Sequence, residues 1–231
     1  MQSFKYKVVD RNDASMMEQI FRLRFQVYGR ERNFIPVEDF PDGLETDEHD
    51  GHAVHIAALN NFNEVVGSVR LIFNQQVTLP IERHVDHINL EPPEPHVLCF
   101  TEISRLVISK QMRRRDHGSI HQSARMNSEV RSAKKSFLQY SSPMVFGLCQ
   151  MAYEVSMEKG VTHWLCLMER SLHSLLHKYG FPFVCIGREV DFYGRVSPYI
   201  ADVAQFKNRL EQYHREIKSS YLMPSHKSSL S

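Results

Sequence analysis

None of the ten glycines in this sequence of 231 residues belongs to a Walker-type nucleotide loop or to a Rossmann fingerprint. The Gly-x-Ser-x-Gly elbow that presents the nucleophile of many hydrolases is also missing. These absences exclude the enzyme classes that depend on those loops.

An excess of charge of either sign is absent too, since 28 lysines and arginines face 27 aspartates and glutamates. A balanced chain has no long-range field that would recruit nucleic acid or an anionic membrane. No apolar run reaches the roughly 20 residues that a membrane-spanning helix needs, and no apolar signal segment with a cleavage site stands at the start. We therefore expect a cytoplasmic protein that binds no nucleic acid and has no transmembrane segment.

Cysteine is scarce, and the four cysteines are widely spaced in apolar runs, which predicts buried free thiols in a reducing compartment. The close trio His49, His52 and His55 does not match a zinc-binding spacing, and no cysteine joins it as a ligand. No metal site is therefore expected. The cysteines are Cys99, Cys149, Cys166 and Cys185.

The apolar pattern predicts a single domain over residues 1–231 with an α/β (α+β) fold, since neither a linker nor an internal repeat interrupts it. The strands at 53–59 and 65–73 should form a hairpin, because turn-forming asparagines join them. Local pairing followed by later crossovers favours a mixed central sheet with helices on both faces. Strands are predicted at 4–9, 53–59, 65–73, 99–110, 162–168, 183–186 and 190–192, and helices at 14–32, 81–85, 143–159, 169–179 and 204–219.

A basic segment at about 111–142 interrupts this pattern and is followed much later by a polar tail from about residue 220. We expect the segment to be an exposed loop or a mobile insertion. Its arginines, at a junction between a strand and a helix, have the chemistry to bind phosphate, although a solvated or partner-facing patch is the simpler alternative. Its basic residues include Arg113, Arg114, Arg115, Arg125, Arg131, Lys134 and Lys135.

The predicted strand at 99–110 contains three polar residues, Glu102, Ser104 and Arg105, in an apolar context. Buried charges are costly unless they are paired, so the cluster indicates either an internal ion-pair network or a reaction site. Strand alternation predicts that Glu102 and Ser104 share one face and that Arg105 lies on the other with Ile103 and Val107. Burial would raise the pKa of Glu102, which makes it the best candidate for a general base.

Residues 33–51 form a long irregular loop that carries Glu45, Asp47 and Asp50, and Arg22 and Arg24 precede it on the first long helix. Its carboxylates have the chemistry to hold a cationic amine, and an arginine can lock such a loop by bidentate pairing. The alternative is a solvated acidic loop without a specific partner.

Arg70 stands on a predicted central strand, where a cation needs an anionic partner. Either Glu102 or the acidic loop can supply that partner. The pair is then part of a reaction site or a purely structural ion pair, and the residue pattern leaves both readings open.

Four segments resemble, in order and approximate spacing, the autoinducer synthases, which make acyl-homoserine lactones and have an acetyltransferase-like (GNAT) fold. They are RLRFQVY at 22–28, ETDEHD at 45–50, GSVRL at 67–71 and FTEISRLVIS at 100–109. The run ERNFIPVEDFPDGLETDEHD and the later LPIERH resemble still more closely the exosortase-associated (PEP-CTERM system) acyltransferases. That bacterial group is related to the synthases and to N-acyl amino acid synthases, and the resemblance covers residues 21–115.

This resemblance implies roles for individual residues. Catalytic roles fall on Arg70, Glu102 and Ser104, with Glu102 as the proposed base. Substrate-binding roles fall on Arg24, Tyr28, Phe34, Glu45, Asp47, Asp50, Phe100 and Arg105. Contacts with the acyl donor or its carrier fall on Arg113, Arg114, Arg115, Lys134 and Lys135.

The implied reaction is N-acyl transfer, in which a fatty acyl group leaves an acyl carrier protein or coenzyme A thioester and passes to the amine of a small acceptor, an amino acid in the first instance. Neither a metal nor a tightly bound cofactor is required. A homoserine lactone synthase that uses S-adenosylmethionine is the nearest alternative, although Tyr28 stands where the synthases usually have phenylalanine. A compact pyrophosphate loop is absent, which favours a carrier protein over coenzyme A as donor. A non-catalytic binding module is the alternative from another class.

Overall fold

The computed structural model describes residues 4–75, 77–85, 99–110, 112, 142–178 and 180–207. The described strands are β1 (Lys5–Val9), β2 (Val54–Leu59), β3 (Val65–Phe73), β4 (Phe100–Ile108), β5 (His163–Met168), β6 (Val184–Cys185), β7 (Val190–Asp191) and β8 (Arg195–Asp202). The described α-helices are α1 (Ala14–Phe25), α2 (Pro80–His84), α3 (Ser142–Glu158) and α4 (Arg170–Lys178). The predictions for Arg113, Arg114, Arg115, Lys134 and Lys135, and for the polar tail, lie outside these residues.

The strands form one sheet in the order β1-β2-β3-β4-β5-β8-β6, and β7 pairs with β8. Pairing is antiparallel except between β4 and β5, which run parallel. The predicted hairpin is confirmed, because β2 and β3 are antiparallel neighbours and the Asn60 side chain accepts hydrogen bonds from the backbone of the turn.

Strand β8 was not predicted, because Pro198 lies in the middle of it and a proline usually argues against a strand. The structure accommodates Pro198 because the neighbouring strand β6 is only two residues long. The carbonyl of Pro198 accepts a hydrogen bond from Ile186 N, just beyond the end of β6.

Helices cover both faces of the sheet, which confirms the predicted arrangement. Helix α3 packs on β1, β2 and β3, and its buried side chains form the largest core cluster together with Leu176 of α4 and Trp164 of β5. Helices α1 and α2 lie on the opposite face, where Ile20 and Ile81 belong to two smaller clusters. Among the described residues no helix is long and apolar enough to cross a membrane.

The predicted helix at 14–32 is continuous, but its second part is widened. Asp13 caps the first turn by accepting a hydrogen bond from Met16 N, and α1 then passes into a π-helical segment at Gln26–Glu31. Such widened turns often occur at functional sites. Here the segment carries Tyr28, whose hydroxyl reaches the carbonyl of Leu106 on β4 at 3.4 Å.

All four cysteines are free thiols, as predicted, but they are not all buried. Cys166 is buried, Cys99 and Cys149 are half-buried and Cys185 is exposed. The prediction was wrong for Cys185 because the two-residue strand β6 lies at the edge of the sheet. The apolar run around Cys185 therefore did not indicate burial.

Candidate active site

A bulge in β4 determines which side chains meet at the centre of the sheet. Arg70 pairs with Ser104 and Ser68 pairs with Val107, so two residues of β4 stand where β3 has only one. Arg105 is one of them, and its φ of 53° lies in the left-handed region that non-glycine residues seldom adopt. The bulge breaks the alternation and turns Arg105 onto the face that carries Ser104. The prediction that Arg105 and Val107 point to the opposite face was therefore wrong.

Three arginines and three carboxylates form a closed ring of ion pairs on this face. Each carboxylate binds two of the arginines, and each arginine binds two of the carboxylates. Because the ring has three positive and three negative side chains, it has no net charge. Glu45 pairs with Arg24 and with Arg105 Nε at 3.0 Å. Asp47 pairs with Arg70 Nη1 at 2.6 Å and with Arg105 Nη2 at 2.8 Å. Asp50 pairs with Arg24 Nη1 at 2.7 Å and with Arg70 Nη1 at 2.8 Å.

This ring decides between the two readings of the acidic loop. Glu45 is fully buried and Asp50 nearly so, hence the loop is not a solvated acidic segment. Arg24 donates two hydrogen bonds to the Asp50 carboxylate. This is the bidentate pairing between an arginine and the loop that was expected from the sequence. By contrast Arg22 is exposed and pairs with Glu18 on its own helix. The partner of Arg70 is the acidic loop and Ser104, to which Arg70 Nε donates at 3.0 Å, rather than Glu102.

Backbone contacts place the acidic loop over the ring. The amide of Glu45 donates to the carbonyl of Phe21 at 3.1 Å, which anchors the loop to α1. The carboxylate of Asp50 accepts from Asp47 N at 2.8 Å, which closes a local turn. The loop thus brings its three carboxylates, those of Glu45, Asp47 and Asp50, to one point.

The ion pairs shift the pKa values of their members. Burial alone would raise the pKa of Asp50, but Arg24 and Arg70 hold it well below its usual range. Burial alone would lower the pKa of Arg24, but Glu45 and Asp50 raise it. These members therefore stay charged at neutral pH.

Among the described residues, Glu102 is the buried carboxylate on this face that does not join the ring. Its side chain is 2% exposed and accepts a hydrogen bond from Ile81 N at 2.7 Å. Burial raises its pKa to about 7, although the amide of Ile81 and the charges of Arg70 and Arg105 oppose the shift. A carboxyl with this pKa exists in both protonation states near neutral pH, which suits proton transfer.

A cavity of about 150 Å³ crosses the sheet beside Glu102. Strands β4 and β5 are paired only from Phe100 to Glu102, opposite His163 to Leu165, and then separate. On the ring side the cavity is lined by Tyr28, Phe34, Glu102, Ser104, Arg105, Phe192 and Tyr193. On the α3 side it is lined by Val69, Ile103, Leu148, Cys149, Ala152, Cys166, Met168, Leu176 and Phe183. The gap between the two strands therefore connects a polar chamber to an apolar one.

Sequence reasoning did not identify Tyr193 as a member of the site. Its hydroxyl accepts from Arg105 Nη2 at 2.8 Å, and its ring lies 4.1 Å from the guanidinium carbon of Arg105. The Tyr193 ring also contacts Tyr28, which stacks on Phe34. The turn-forming glycine at 194 was the available signal, but nothing in the linear pattern connects this turn to residues near position 45.

The remaining predicted substrate residue, Phe100, lies at the start of β4, with its ring centroid 5.8 Å from that of His163. It is not among the described residues that line the cavity, so its role in substrate binding stays a prediction. Within the described part of the chain, no three His, Cys, Asp or Glu side chains are grouped as metal ligands.

Comparison with known proteins found a family model that matches part of the chain. Residues 23–120 match the family model of the acetyltransferase (GNAT) domain. No curated protein matches the chain at a significant level.

Several solved structures share the fold. BjaI, a CoA-dependent acyl-homoserine lactone synthase solved with SAM and isopentyl-CoA, is 21% identical, with a TM-score of 0.65 over 97% of this chain and 92% of that chain. TofI in a ternary complex with an inhibitor and MTA is 19% identical, with a TM-score of 0.62 over 91% of this chain and 97% of that chain. FeeM, an N-acyl amino acid synthase from uncultured soil microbes, is 12% identical, with a TM-score of 0.57 over 92% of this chain and 98% of that chain.

Proposed function

We propose that this chain, an acyltransferase of the GNAT type, moves an acyl group from a thioester to the amine of a small acceptor, with an amino acid as the first candidate. One observation carries the proposal. Glu102, a buried carboxyl with a pKa of about 7, stands where β4 and β5 begin to separate and lines the cavity that fills the gap.

The separation of β4 and β5 supplies a place for the thioester. Beyond Glu102 and Leu165 the facing edges of the two strands no longer pair with each other. Backbone groups on these edges can hold the thioester carbonyl and stabilise the charge that develops on its oxygen. The acyl chain then extends toward α3, and the carbonyl carbon faces the polar chamber.

Glu102 completes the reaction on the polar side. The neutral amine of the acceptor attacks the thioester carbonyl carbon, a C–N bond forms, and the C–S bond breaks. The Glu102 carboxylate accepts the proton that the amine loses, and the leaving thiolate takes up a proton to become the free thiol. A base with a pKa near 7 is matched to this task at neutral pH.

The ring of ion pairs positions the polar chamber rather than offering free charge. Its arginines and carboxylates neutralise one another, and two of its carboxylates are almost fully enclosed. Asp47 is the exception, since its side chain is 23% exposed. We assign to Asp47 a contact with the acceptor, and to Glu45, Asp50 and Arg24 the task of holding Asp47, Arg70 and Arg105 in place.

The donor in this proposal is an acyl carrier protein or coenzyme A thioester. The resemblance of the loop at 31–50 to the exosortase-associated acyltransferases, which are related to N-acyl amino acid synthases, supports an amino acid acceptor. The absence of a compact pyrophosphate loop supports a carrier-bound donor. The second candidate is a lactone synthase. It is supported by the structural similarity to BjaI, which was solved with SAM and isopentyl-CoA.

Untargeted mass spectrometry of lipid extracts from a host with and without the expressed chain tests the proposal. We expect an N-acyl product that depends on expression and is lost in the Glu102→Gln variant. Glu154→Gln, an exposed glutamate on α3, is the matched control and should retain the product. A lactone would favour the second candidate. Absence of any acylated product, or full activity in Glu102→Gln, would contradict the proposed function or the role of Glu102, respectively.

A further inference from the structure

The α3 side of the cavity is lined mainly by apolar side chains, and Glu169, which also lines the cavity, pairs with Arg32 at 3.4 Å. Four of its lining residues, Leu148, Ala152, Cys166 and Leu176, are each at most 5% exposed. Burial raises the pKa of Cys149 to about 12 and that of Cys166 well above its ordinary value, so both thiols stay neutral. The chamber is thus suited to hydrocarbon, and neither cysteine is activated as a nucleophile.

The volume of the cavity limits what can enter it. The whole cavity, including its polar part, measures about 150 Å³. An apolar protein cavity of the same volume holds a benzene molecule, which has six carbons. A chain much longer than six carbons would have to displace buried core side chains, and closely packed protein cores resist such displacement.

Two small side chains of α3 line the chamber. Cys149 and Ala152 are three residues apart, so they lie on the same side of the helix and both line the cavity. A larger side chain at either position would therefore reduce the space in the chamber.

A second cavity of about 90 Å³ adjoins the first but remains separate. Five residues line both cavities and therefore lie between them: Tyr28, Phe34, Leu106, Glu169 and Leu172. Leu175 and Val145 line only the second cavity. The partition by Leu172 keeps the first chamber short.

We propose that the acyl group transferred by this chain is short, with about six carbons or fewer in a straight, branched or aromatic form. It lies in the α3-side chamber, and Ala152 and Leu172 set its length. This inference rests on the proposed function and replaces the fatty acyl group that the sequence resemblance implied. It identifies the class of acyl donor for the same site.

The test measures binding of a series of N-acetylcysteamine thioesters with straight acyl chains of two to twelve carbons, because this small thiol is the part that coenzyme A and carrier-protein thioesters share. Each buried methylene should tighten binding about fourfold, since its transfer from water is favourable by about 0.8 kcal/mol. We expect this gain to continue to about six carbons and then to stop. The decanoyl thioester should bind at least tenfold more weakly than a fourfold gain for every methylene would predict.

Two variants move the length limit in opposite directions. Ala152→Leu adds three carbons to the chamber wall, so the gain should stop about three carbons earlier. Leu172→Ala removes three carbons from the partition, so the gain should continue to longer chains. Leu175→Ala is the matched control, because Leu175 lies on the same helix but lines only the second cavity. Leu175→Ala should have the same chain-length limit as wild type. Thermal melting shows whether each variant folds.

The possible outcomes separate this inference from the proposed function. A fourfold gain per methylene that continues to the decanoyl and dodecanoyl thioesters of wild type overturns the short-chain inference and leaves the proposed function intact. An unchanged limit in both folded variants, Ala152→Leu and Leu172→Ala, overturns the chamber assignment. If no thioester of any length binds wild type, the proposed function is wrong and this inference is lost with it.

Discussion

The hydroxyl of Tyr193 donates a hydrogen bond of 3.1 Å to Glu45 Oε1, although 148 positions separate the two residues. The same hydroxyl accepts a hydrogen bond from Arg105. Burial raises the pKa of Tyr193 to about 12, so the hydroxyl keeps its proton and can donate at neutral pH. Tyr193 thus connects the turn between β7 and β8 to the ring of ion pairs.

Replacing Tyr193 by phenylalanine should weaken this connection but preserve the contact between its ring and Arg105. We expect the free energy of unfolding to fall by about 1–2 kcal/mol, because two hydrogen bonds at partly buried groups are lost. Tyr193→Ala should cost more, since the ring contacts also disappear. Urea denaturation of the three proteins measures both differences. Equal stability of Tyr193→Phe and wild type would show that the two hydrogen bonds are not stabilising.

The ring of ion pairs predicts a large difference between two arginines on one helix. Arg24→Ala leaves Glu45 and Asp50 buried with fewer partners and should lower the free energy of unfolding by about 3–5 kcal/mol. Arg22→Ala removes an exposed pair with Glu18 and should change it by about 0.5 kcal/mol or less. Chemical denaturation compares the two variants. Similar losses would mean that the ring contributes no more than a surface ion pair.

Glu102 should make stability depend on pH. Its pKa rises from 4.5 to about 7 on folding, so the folded state favours the neutral form. The stability that this preference contributes is fully present below about pH 4.5 and is lost as the pH rises through about 7. As the pH rises from about 4.5 to above 7, the free energy of unfolding of wild type should fall by about 3 kcal/mol relative to that of Glu102→Gln, because the variant has no charge to bury. Unfolding measured at several pH values gives this difference, and a difference that does not change with pH would refute the burial effect.

The same group should control the pH dependence of the reaction. The base must be ionised to accept the amine proton, so kcat/KM should rise with pH through an apparent pKa of about 7, separately from the rise at higher pH that deprotonation of the acceptor amine causes. Rates measured with the best thioester over pH 5 to 9 test this. The residual activity of Glu102→Gln should lack the rise at this pKa. A wild-type profile that is flat across this range would remove Glu102 from the proton transfer.

Gly194 allows the turn that presents Tyr193. Its φ of 98° is strained for any residue with a side chain, and an added Cβ would lie 2.9 Å from Phe34 Cε1. Gly194→Ala should therefore destabilise the fold by about 1–3 kcal/mol and move Phe34 away from Tyr28. Gly51→Ala is the control, because an added Cβ there meets no atom within 4 Å. Thermal melting compares the stability of the two variants. If Gly194→Ala is as stable as Gly51→Ala, a side chain at position 194 causes no strain.

Local patterns in the sequence were sufficient for most elements of the fold. The Asp13 cap, the asparagine turn between β2 and β3 and the apolar run of β5 depend on neighbouring residues, so their positions could be predicted. Strand β8 was missed because Pro198 obscured it. Its place depends on a short partner strand that no local pattern reveals.

By itself the sequence determined that polar residues cluster on the strand around Glu102 and that the acidic loop and Arg24 are candidates to pair. Both follow from residue type and spacing. Only the tertiary structure decided that Arg105 joins the ring, because a bulge shows itself only in the register between two strands. The membership of Tyr193 and the separation of β4 from β5 likewise required the full fold. The physical reason is that each depends on contacts between segments that are distant in sequence.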